Sequence, residues 1–334
     1  FGNDFGIQND LSFMDVSLLK AFNSSAQQNN SLTLRFGQPV PRLFNFRGYS
    51  DGAQVQGNPL VGNSTADFVA AETGVALLAQ HNLSDAPIDS IGWDVRVTQP
   101  NFGEDFSNDR GYHFNAKARL GLLPDGHEFG GLRFGGAFST LDSGDQVVGG
   151  IGARPSGASG MVFGDGDNYN FPGSGDSARD GHAGLMPGID MTLWQVDAEY
   201  KASIVPLTLR GWFGMGEDEF SFVDGNGAQT TAGNSNTVSD ALDSEMTWFG
   251  VTGVYDILPD RWFAAVRYTQ VRNTSSGVSN SEDQMDRLQL GSGVWLTDGA
   301  LVKAEYIRQN EESRSPGQIG SDWQGGQIEF SLAF

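Results

Sequence analysis

The chain has 334 residues, of which 41 are acidic, 20 are Lys or Arg and none is Cys. Without Cys there is neither a disulfide framework nor a thiolate metal site, and a formal net charge of -21 argues against a nucleic-acid binder, which needs clustered Lys and Arg. The apolar fraction of 38% is lower than the roughly 45–50% usual for a soluble domain, yet 11% aromatic residues are too many for a disordered acidic chain.

Alternation of apolar and polar residues with a period of two is the dominant pattern along the chain. In one run, Trp194, Val196 and Ala198 alternate with polar residues. Each run covers about 9–12 residues, which is longer than the ~5–6 typical of soluble strands and fits a tilted strand that crosses a membrane. The pattern predicts strands at 11–22, 31–38, 73–82, 91–99, 112–123, 129–140, 190–202, 207–215, 247–257, 262–273, 286–297, 300–309 and 323–334.

The connections between the predicted strands alternate between long and short. Long segments fall at 39–72, 141–189 and 216–246, and short turns such as 258–261 separate them. A soluble sandwich has no reason to place every long loop on one side, whereas an outer-membrane barrel has short periplasmic turns and long extracellular loops, and its closure leaves no unpaired edge in lipid. The chain is therefore predicted to be all-β, a single transmembrane antiparallel β-barrel domain over 1–334 in the cell outer membrane of a Gram-negative-type bacterium.

The two ends of the chain agree with this prediction. The final strand alternates Ile328, Phe330 and Leu332 and closes on Phe334, which resembles the C-terminal assembly signal of bacterial outer-membrane proteins. No apolar run approaches the roughly 18 residues that a membrane-spanning helix requires. The chain opens at Phe1 without a basic and apolar leader, so we expect N-terminal residues, including the first strand or strands of the barrel, to be missing.

Two stretches carry strand signatures of a known family. The first spans 11–18 and 32–41, where a Gly-Gln-Pro sequence at 37–39 joins a rising strand to a long loop. The second spans 247–306 and includes a Leu-Thr-Asp turn and an Ala-Glu-Tyr sequence at 304–306. Both resemble the phosphate-selective porins, the porin O/P family of bacterial outer-membrane β-barrels.

This resemblance implies a barrel of sixteen strands, with fourteen as the alternative, that assembles as a homotrimer. It also implies that the loop at 39–72 narrows the pore. That loop carries only two basic residues, Arg42 and Arg47, which is fewer than a strongly phosphate-selective channel needs.

The charges of the predicted strands follow the same alternation. If the apolar set faces lipid, the other set faces the lumen. The ten basic residues turned inward are Arg35, Arg96, Lys117, Arg119, Arg133, Lys201, Arg210, Arg267, Arg287 and Lys303. The acids turned inward are Asp15, Asp94, Asp197, Glu199, Asp256, Glu305 and Glu329. Cations in a narrow pore favour anions, whereas basic and acidic residues that pair with one another only stiffen the wall, and both interpretations stay open.

One cross-strand pair is predicted from the turn near 126. Lys117 and Arg119 share a strand and a face, and a turn centred there places Arg119 opposite Arg133. We expect these three residues in the periplasmic half of the lumen. Two like charges directly opposite each other require an anion or a loop carboxylate between them.

The remaining motifs are weak. Asp and Asn at alternate positions from Asp165 resemble a calcium loop with ligands Asp165, Asp167 and Asp176, although the bidentate Glu of such loops is missing. The alternative is a solvated Asp/Gly turn, and no other cofactor is expected. No nucleophile elbow or His pair indicates an enzyme.

Two hypotheses of function follow. The first is an outer-membrane porin for passive diffusion of small hydrophilic solutes, anions such as phosphate among them, with outer-membrane lipid and lipopolysaccharide as its surroundings. The second is a surface anchor or scaffold barrel, whose long acidic loops at 141–189 and 216–246 bind a partner protein or polymer.

Overall fold

The computed structural model describes residues 13–22, 30–37, 45–46, 56–61, 73–83, 88–99, 112–142, 190–220, 242–276, 281–313 and 323–333. The first elements in these ranges are β1 (Phe13–Ser17), α1 (Leu18–Phe22), β2 (Asn30–Gly37), β3 (Thr73–Asn82), β4 (Ser90–Gln99), β5 (Tyr112–Leu123) and β6 (Gly131–Asp142). The others are β7 (Asp190–Lys201), β8 (Leu207–Phe220), β9 (Leu242–Leu258), β10 (Trp262–Ser276), β11 (Ser281–Thr297), β12 (Ala300–Ser313) and β13 (Trp323–Leu332).

All of these strands belong to one antiparallel sheet in which each strand pairs with the next along the chain. Short turns at 124–130, 202–206, 259–261 and 298–299 therefore lie at one edge. The other edge has the longest connections, such as 143–189 and 221–241, together with the short connection at 277–280. The predicted all-β, antiparallel architecture is confirmed. Among the described residues β1 and β13 do not pair with each other, and the total of sixteen or fourteen strands stays a prediction.

The predicted bounds differ most at the first strand and at the long-loop edge. Over the described part of the strand predicted at 11–22, β1 covers Phe13–Ser17 and α1 follows, because the Leu-Leu-Lys-Ala sequence at 18–21 does not alternate and favours a helix. At the other edge β8, β9 and β11 run further than predicted, so the loop predicted over 216–246 shortens to 221–241. The added residues are mostly polar on both faces, and polar residues carry no alternation signal.

The two faces of the sheet have opposite chemistry. On β12, Lys303, Glu305 and Gln309 are buried, whereas Ala304 and Tyr306 on the other face are exposed. Cross-strand partners share a face, so the same division continues across the sheet and defines a buried polar inner face and an exposed apolar outer face. A water-soluble sheet shows the reverse arrangement, and a membrane-spanning barrel wall shows this one.

The apolar outer face ends abruptly toward the long-loop edge. Along β10 its residues are Trp262, Ala264, Val266 and Tyr268, and the polar Gln270 follows. The neighbouring strands change from apolar to polar in the same way. From Trp262 to Tyr268 the belt covers seven residues, or about 23 Å along the strand. A tilt of ~40° reduces this to about 18 Å, compared with the roughly 25 Å apolar height of outer-membrane barrels.

No helix in the described parts of the chain is both long and apolar enough to cross a membrane.

Candidate functional site

The inner face carries every basic residue that the sequence turned toward a lumen. Cross-strand pairing places Arg35 level with Ala76 and Ala76 level with Arg96, and the same register extends through the sheet to Lys303. The parity of the predicted strands therefore agrees with the structure. That these side chains line a conducting pore stays a prediction.

Most of these cations form ion pairs along the wall. These pairs include Arg35–Asp15 at 2.7 Å, Arg133–Glu199 at 3.5 Å, Arg210–Glu199 at 2.7 Å, Lys201–Asp125 at 2.7 Å and Lys303–Glu329 at 2.7 Å. Arg267 and Arg287 donate to the neutral side chains of Thr252 and Gln309, respectively. The basic residues were interpreted either as a path for anions or as partners of acids in the wall. Most of them have an acidic partner in the wall.

Asp94 is the centre of the densest charge cluster. Its carboxylate lies 3.2 Å from Arg96 Nη2, 3.8 Å from Lys117 Nζ and 4.0 Å from Arg119 Nη2. Arg96 and Lys117 are almost fully buried in this cluster, whereas 31% of the Arg119 side chain is exposed. One buried carboxylate thus contacts three cations, of which Arg119 is the most exposed.

The predicted pairing of Arg119 with Arg133 is wrong by two residues. Arg119 lies opposite Gly135, and Arg133 lies opposite Gly121. The turn is longer than the sequence suggested, because Gly126 and Gly130 both adopt positive φ, at 89° and 88°, and a bulge follows Gly121. The two arginines are therefore diagonal rather than direct neighbours, which avoids the like-charge contact.

A carboxylate from the turn binds Arg133. Arg133 Nη2 donates to both oxygens of Asp125 at 2.8 Å, and Lys201 Nζ donates to Asp125 Oδ2 at 2.7 Å. Burial by itself raises the pKa of Asp125, but the hydrogen bonds from Lys201 and Arg133 outweigh it, so the pKa lies below its ordinary value. Asp125 was missed in the sequence because turn carboxylates usually point into water.

A polar cavity of about 440 Å³ opens on the inner face beside this cluster. Arg119 and Arg133 line it from the wall, and Asn45 and Phe46 line it from the chain that follows β2. Arg133 and Lys201 side chains are 35% and 37% exposed. The cavity is thus lined by two accessible cations, Arg119 and Arg133, and a third, Lys201, binds Asp125 of its lining.

The chain after β2 lies against the inner face. Its described residues, 45–46 and 56–61, are named the inner segment here, and they belong to the loop predicted over 39–72. At its first contact the Asn45 backbone N donates to Asp197 Oδ2 at 2.7 Å, and the Asn45 side chain donates to Asp197 Oδ1 at 2.8 Å. A Cβ on Gly135 would collide with the Asn45 amide, so this glycine leaves the space that Asn45 fills.

The second contact of the inner segment lies across the sheet, on β10 to β13. Arg267 Nη2 donates to Asn58 Oδ1 at 2.7 Å, and Lys303 Nζ donates to the backbone oxygens of Asn58 at 3.2 Å and Leu60 at 3.1 Å. The Val61 backbone N donates to Glu305. Asn58, Leu60, Arg267 and Lys303 are all almost fully buried. The inner segment therefore joins β7 to β12 across the inner face.

Several predicted residues lie outside the described ranges. These are Arg42 and Arg47 of the predicted constriction and the candidate calcium ligands Asp165, Asp167 and Asp176. In the described part of the chain no three His, Asp or Glu side chains are grouped to hold a metal ion.

Two inward indoles were not anticipated from the sequence. Trp212 and Trp248 lie on the inner face of β8 and β9, and each ring covers a glycine of the other strand, Gly250 and Gly214 respectively. The signal is the repeated Trp-Phe-Gly sequence at 212–214 and 248–250, in which large and small residues exchange places across the strand pair.

Comparison with known proteins gives distant likenesses in structure alone. No protein-family model and no curated protein matches the chain. OmpT, an outer membrane protein of Vibrio cholerae, is 9% identical with a TM-score of 0.37, and the match covers 90% of this chain and 96% of that one.

A porin structure refined at 1.8 Å is 12% identical with a TM-score of 0.39 over 89% of this chain and 77% of its own. The outer membrane channel DcaP of Acinetobacter baumannii is 11% identical with a TM-score of 0.25 over 92% and 98%. None of these three proteins is described as a phosphate-selective porin. All three TM-scores are below 0.5.

Proposed function

We propose that this chain is an outer-membrane porin through which small hydrophilic solutes diffuse passively. The observation that carries the proposal is the reversed polarity of the sheet, with a buried polar inner face and an exposed apolar outer belt. A wall of this kind separates lipid from water. As in the porins that the sequence resembles, we expect a homotrimer.

The inner segment is proposed as the constriction. It is attached at Asn45 to β7 and at Asn58 and Leu60 to β10–β13, so it reduces the open cross-section of the lumen. The inner face of β10–β13 is covered by its second contact, which leaves the side near β3–β8 for the solute path. The polar cavity lies on that side.

We propose a weak preference for anions, with phosphate as one of the solutes. Arg119 and Arg133 line the cavity, Lys201 binds the lining residue Asp125, and all three keep about a third of their side chains exposed. Asp94 and Asp125 hold these cations in place and also offset their charge. Fixed charges beside a low-dielectric wall set ion preference, and the paired acids keep this preference modest.

Planar-bilayer recording tests the proposal directly. The refolded chain should give discrete, voltage-independent conductance steps, and a salt gradient should give a zero-current potential that indicates a small excess of anion permeability. Absence of conductance from a chain that is folded and inserted would refute the porin, whereas clear cation preference would refute only the selectivity.

The alternative, a surface anchor, depends on the segments at 141–189 and 216–246. Their residues 143–189 and 221–241 lie outside the described ranges, so this hypothesis stays a prediction. Deleting 145–185 distinguishes the two functions. Both functions predict that conductance is unchanged after the deletion. Only the anchor predicts that binding of a surface partner is lost.

A further inference from the structure

The polar cavity at the short-turn end of β3–β6 is lined by groups of both charges. Its volume of about 440 Å³ is at the lower end of the ~300–1,000 Å³ that small-molecule sites occupy. Its charged lining residues are Asp89, Arg119, Asp125 and Arg133, and the rest of the lining is mostly amide and hydroxyl side chains and glycine. A cavity of this size and polarity suits a small hydrophilic molecule better than an oligomer or an apolar ligand.

Arg133 and Asp125 are paired with each other on one side of the cavity. Arg133 donates to both oxygens of Asp125 at 2.8 Å, and Lys201 also donates to Asp125. Glu199 lies 3.5 Å from Arg133 Nη1. Two cations and two carboxylates thus face each other here, and their charges largely cancel.

Arg119 and Asp89 have no such close partners of opposite charge in the described part of the chain. The nearest carboxylate oxygen to Arg119 is that of Asp94 at 4.0 Å, and 31% of the Arg119 side chain is exposed. The Asp89 carboxylate accepts a hydrogen bond from the neutral Ser90 hydroxyl at 3.2 Å, and no Lys or Arg of the described ranges forms an ion pair with it. The cavity therefore presents one accessible cation and one accessible carboxylate to a ligand.

The distance between these two groups follows from the glycines beneath them. A Cβ on Gly92 would stand 2.9 Å from Arg119 Nε, and a Cβ on Gly121 would collide with Asp89 Oδ1. Gly92 pairs with Arg119, two residues from Gly121, so the two glycines are diagonal neighbours about 7–8 Å apart. The guanidinium and the carboxylate that cover them are therefore separated by a similar distance.

That separation fits a molecule that carries both charges on one carbon atom. In an α-amino acid the ammonium nitrogen and the nearer carboxylate oxygen are about 3 Å apart. With a hydrogen bond of ~2.9 Å at each end, the bent path from guanidinium to carboxylate covers about 7–9 Å. A phosphate ion can bind Arg119 but is repelled by Asp89, and a neutral sugar leaves both charges uncompensated.

We propose that this cavity binds zwitterions of the α-amino acid class, with the ligand carboxylate on Arg119 and the ligand ammonium group on Asp89. Gln80, Asn82 and Ser90 line the same space and suit a ligand with a polar side chain. The inference rests on the proposed porin function and names a class of solute for its path. Because such a solute has no net charge, its binding is compatible with a modest anion preference of the open pore.

Ligand-observed NMR titration of the refolded chain in detergent tests the site with three matched probes. L-Serine carries both charges, 3-hydroxypropionate lacks the ammonium group, and ethanolamine lacks the carboxylate. We expect L-serine to bind about tenfold more tightly than either of the others, because each of them lacks one charge-assisted hydrogen bond. Glucose and inorganic phosphate should also bind more weakly than L-serine.

Two single variants assign the two ends of the ligand. Asp89→Asn should weaken L-serine binding about tenfold without weakening 3-hydroxypropionate, which has no ammonium group. Arg119→Gln should weaken L-serine and 3-hydroxypropionate without weakening ethanolamine. Asp298→Asn and Arg261→Gln, which remove exposed charges from the turns at 298–299 and 259–261, are the matched controls and should bind like the unaltered chain. If Arg119→Gln does not refold, Asp89→Asn alone tests the site, because Asp89 precedes β4 and lies outside the strands.

Several results would overturn the site. Equal affinities for the three matched probes would show that the two charges of the ligand are not recognised. Tighter binding of inorganic phosphate than of L-serine would make the cavity an anion site, and tighter binding of glucose would make it a sugar site. L-Serine binding that is unaffected by Asp89→Asn would show that the ammonium group does not contact this carboxylate.

Failure of this site is distinguishable from failure of the porin, because binding in detergent requires no current. Conductance in bilayers without any binding of L-serine would refute the site and leave the porin intact. Binding of L-serine that depends on Asp89 and Arg119, in a folded and inserted chain without conductance, would support the site and refute the porin.

Discussion

Leu60 lies directly over Gly291: a Cβ on Gly291 would stand 2.5 Å from Leu60 Cδ2. The glycine thus forms a recess in the wall of β11 that the buried Leu60 side chain fills. On β6, Gly135 likewise leaves a recess, which the side chain of Asn45 fills. The wall therefore has space for both contacts of the inner segment, and the substitution of either glycine should disturb its position.

We expect Gly135→Ala and Gly291→Ala to raise single-channel conductance, because the added methyl groups push the inner segment away from the wall and loosen the proposed constriction. Gly136→Ala is the matched control, since a Cβ there points to the outer face and meets nothing closer than 4.0 Å. Equal conductance in all three variants would show that the inner segment does not limit the current.

Replacement of Lys303 by Met should destabilise the barrel and widen the pore. Lys303 is buried, donates to the backbone oxygens of Asn58 and Leu60 and pairs with Glu329 at 2.7 Å. Breaking a buried pair from one side typically costs about 3–5 kcal/mol. The free energy of unfolding from lipid vesicles and the conductance should both change. A loss of stability with unchanged conductance would show that Lys303 stabilises the chain but does not hold the inner segment in a position that limits the current.

The cations of the cavity region should set the ion preference. Changing Arg119 and Arg133 to Gln should lower the ratio of anion to cation permeability, measured as a shift of the zero-current potential in a salt gradient. Arg261→Gln again serves as control, because it removes one positive charge from the exposed turn at 259–261. An unchanged zero-current potential in the double variant would show that other charged residues determine the ion preference.

The Asp125 carboxylate should stabilise the turn in a pH-dependent way. Its pKa in the folded chain lies below the ordinary value of 3.8, since Lys201 and Arg133 donate to it. Stability from a lowered pKa is fully present above the unfolded pKa and is lost as the pH falls through the folded pKa.

The difference in unfolding free energy between the unaltered chain and Asp125→Asn should therefore be constant from about pH 5 to 8 and shrink below about pH 4. Because the Asp125 side chain is 49% exposed, the difference should be about 1 kcal/mol or less. A difference that grows on acidification would contradict the ion-pair assignment.

The strands and their parity could be predicted from the sequence because alternation is a local property that a membrane wall enforces on every strand. Ala304 and Tyr306 outward and Lys303 inward follow from it directly. The exact register could not be predicted, since it depends on φ at Gly126 and Gly130 and on a bulge, which alternation does not encode. A shift of two residues preserves the face and changes only the neighbour.

The contacts of the inner segment could not be predicted from the sequence for a different reason. Asn58 and Arg267 are 209 residues apart, and nothing local to either one indicates the other. The sequence shows Gly135 and Gly291 within predicted strands, but a glycine in a strand also occurs at bulges and at sites of close packing. It therefore does not by itself indicate a contact with the inner segment. The reciprocal Trp–Gly pairs on β8 and β9 show how a repeated short sequence could have identified two inward indoles.

The most direct test of a water-filled path beside Arg119 uses the absence of native Cys. Arg119→Cys provides a single thiol on the proposed path, and Ala118→Cys provides one on the lipid-facing side of the same strand. During bilayer recording, a charged, membrane-impermeant methanethiosulfonate reagent should reduce the conductance of Arg119→Cys in discrete steps and leave Ala118→Cys unchanged. Equal block of both variants, or no block of Arg119→Cys in a conducting channel, would contradict the account.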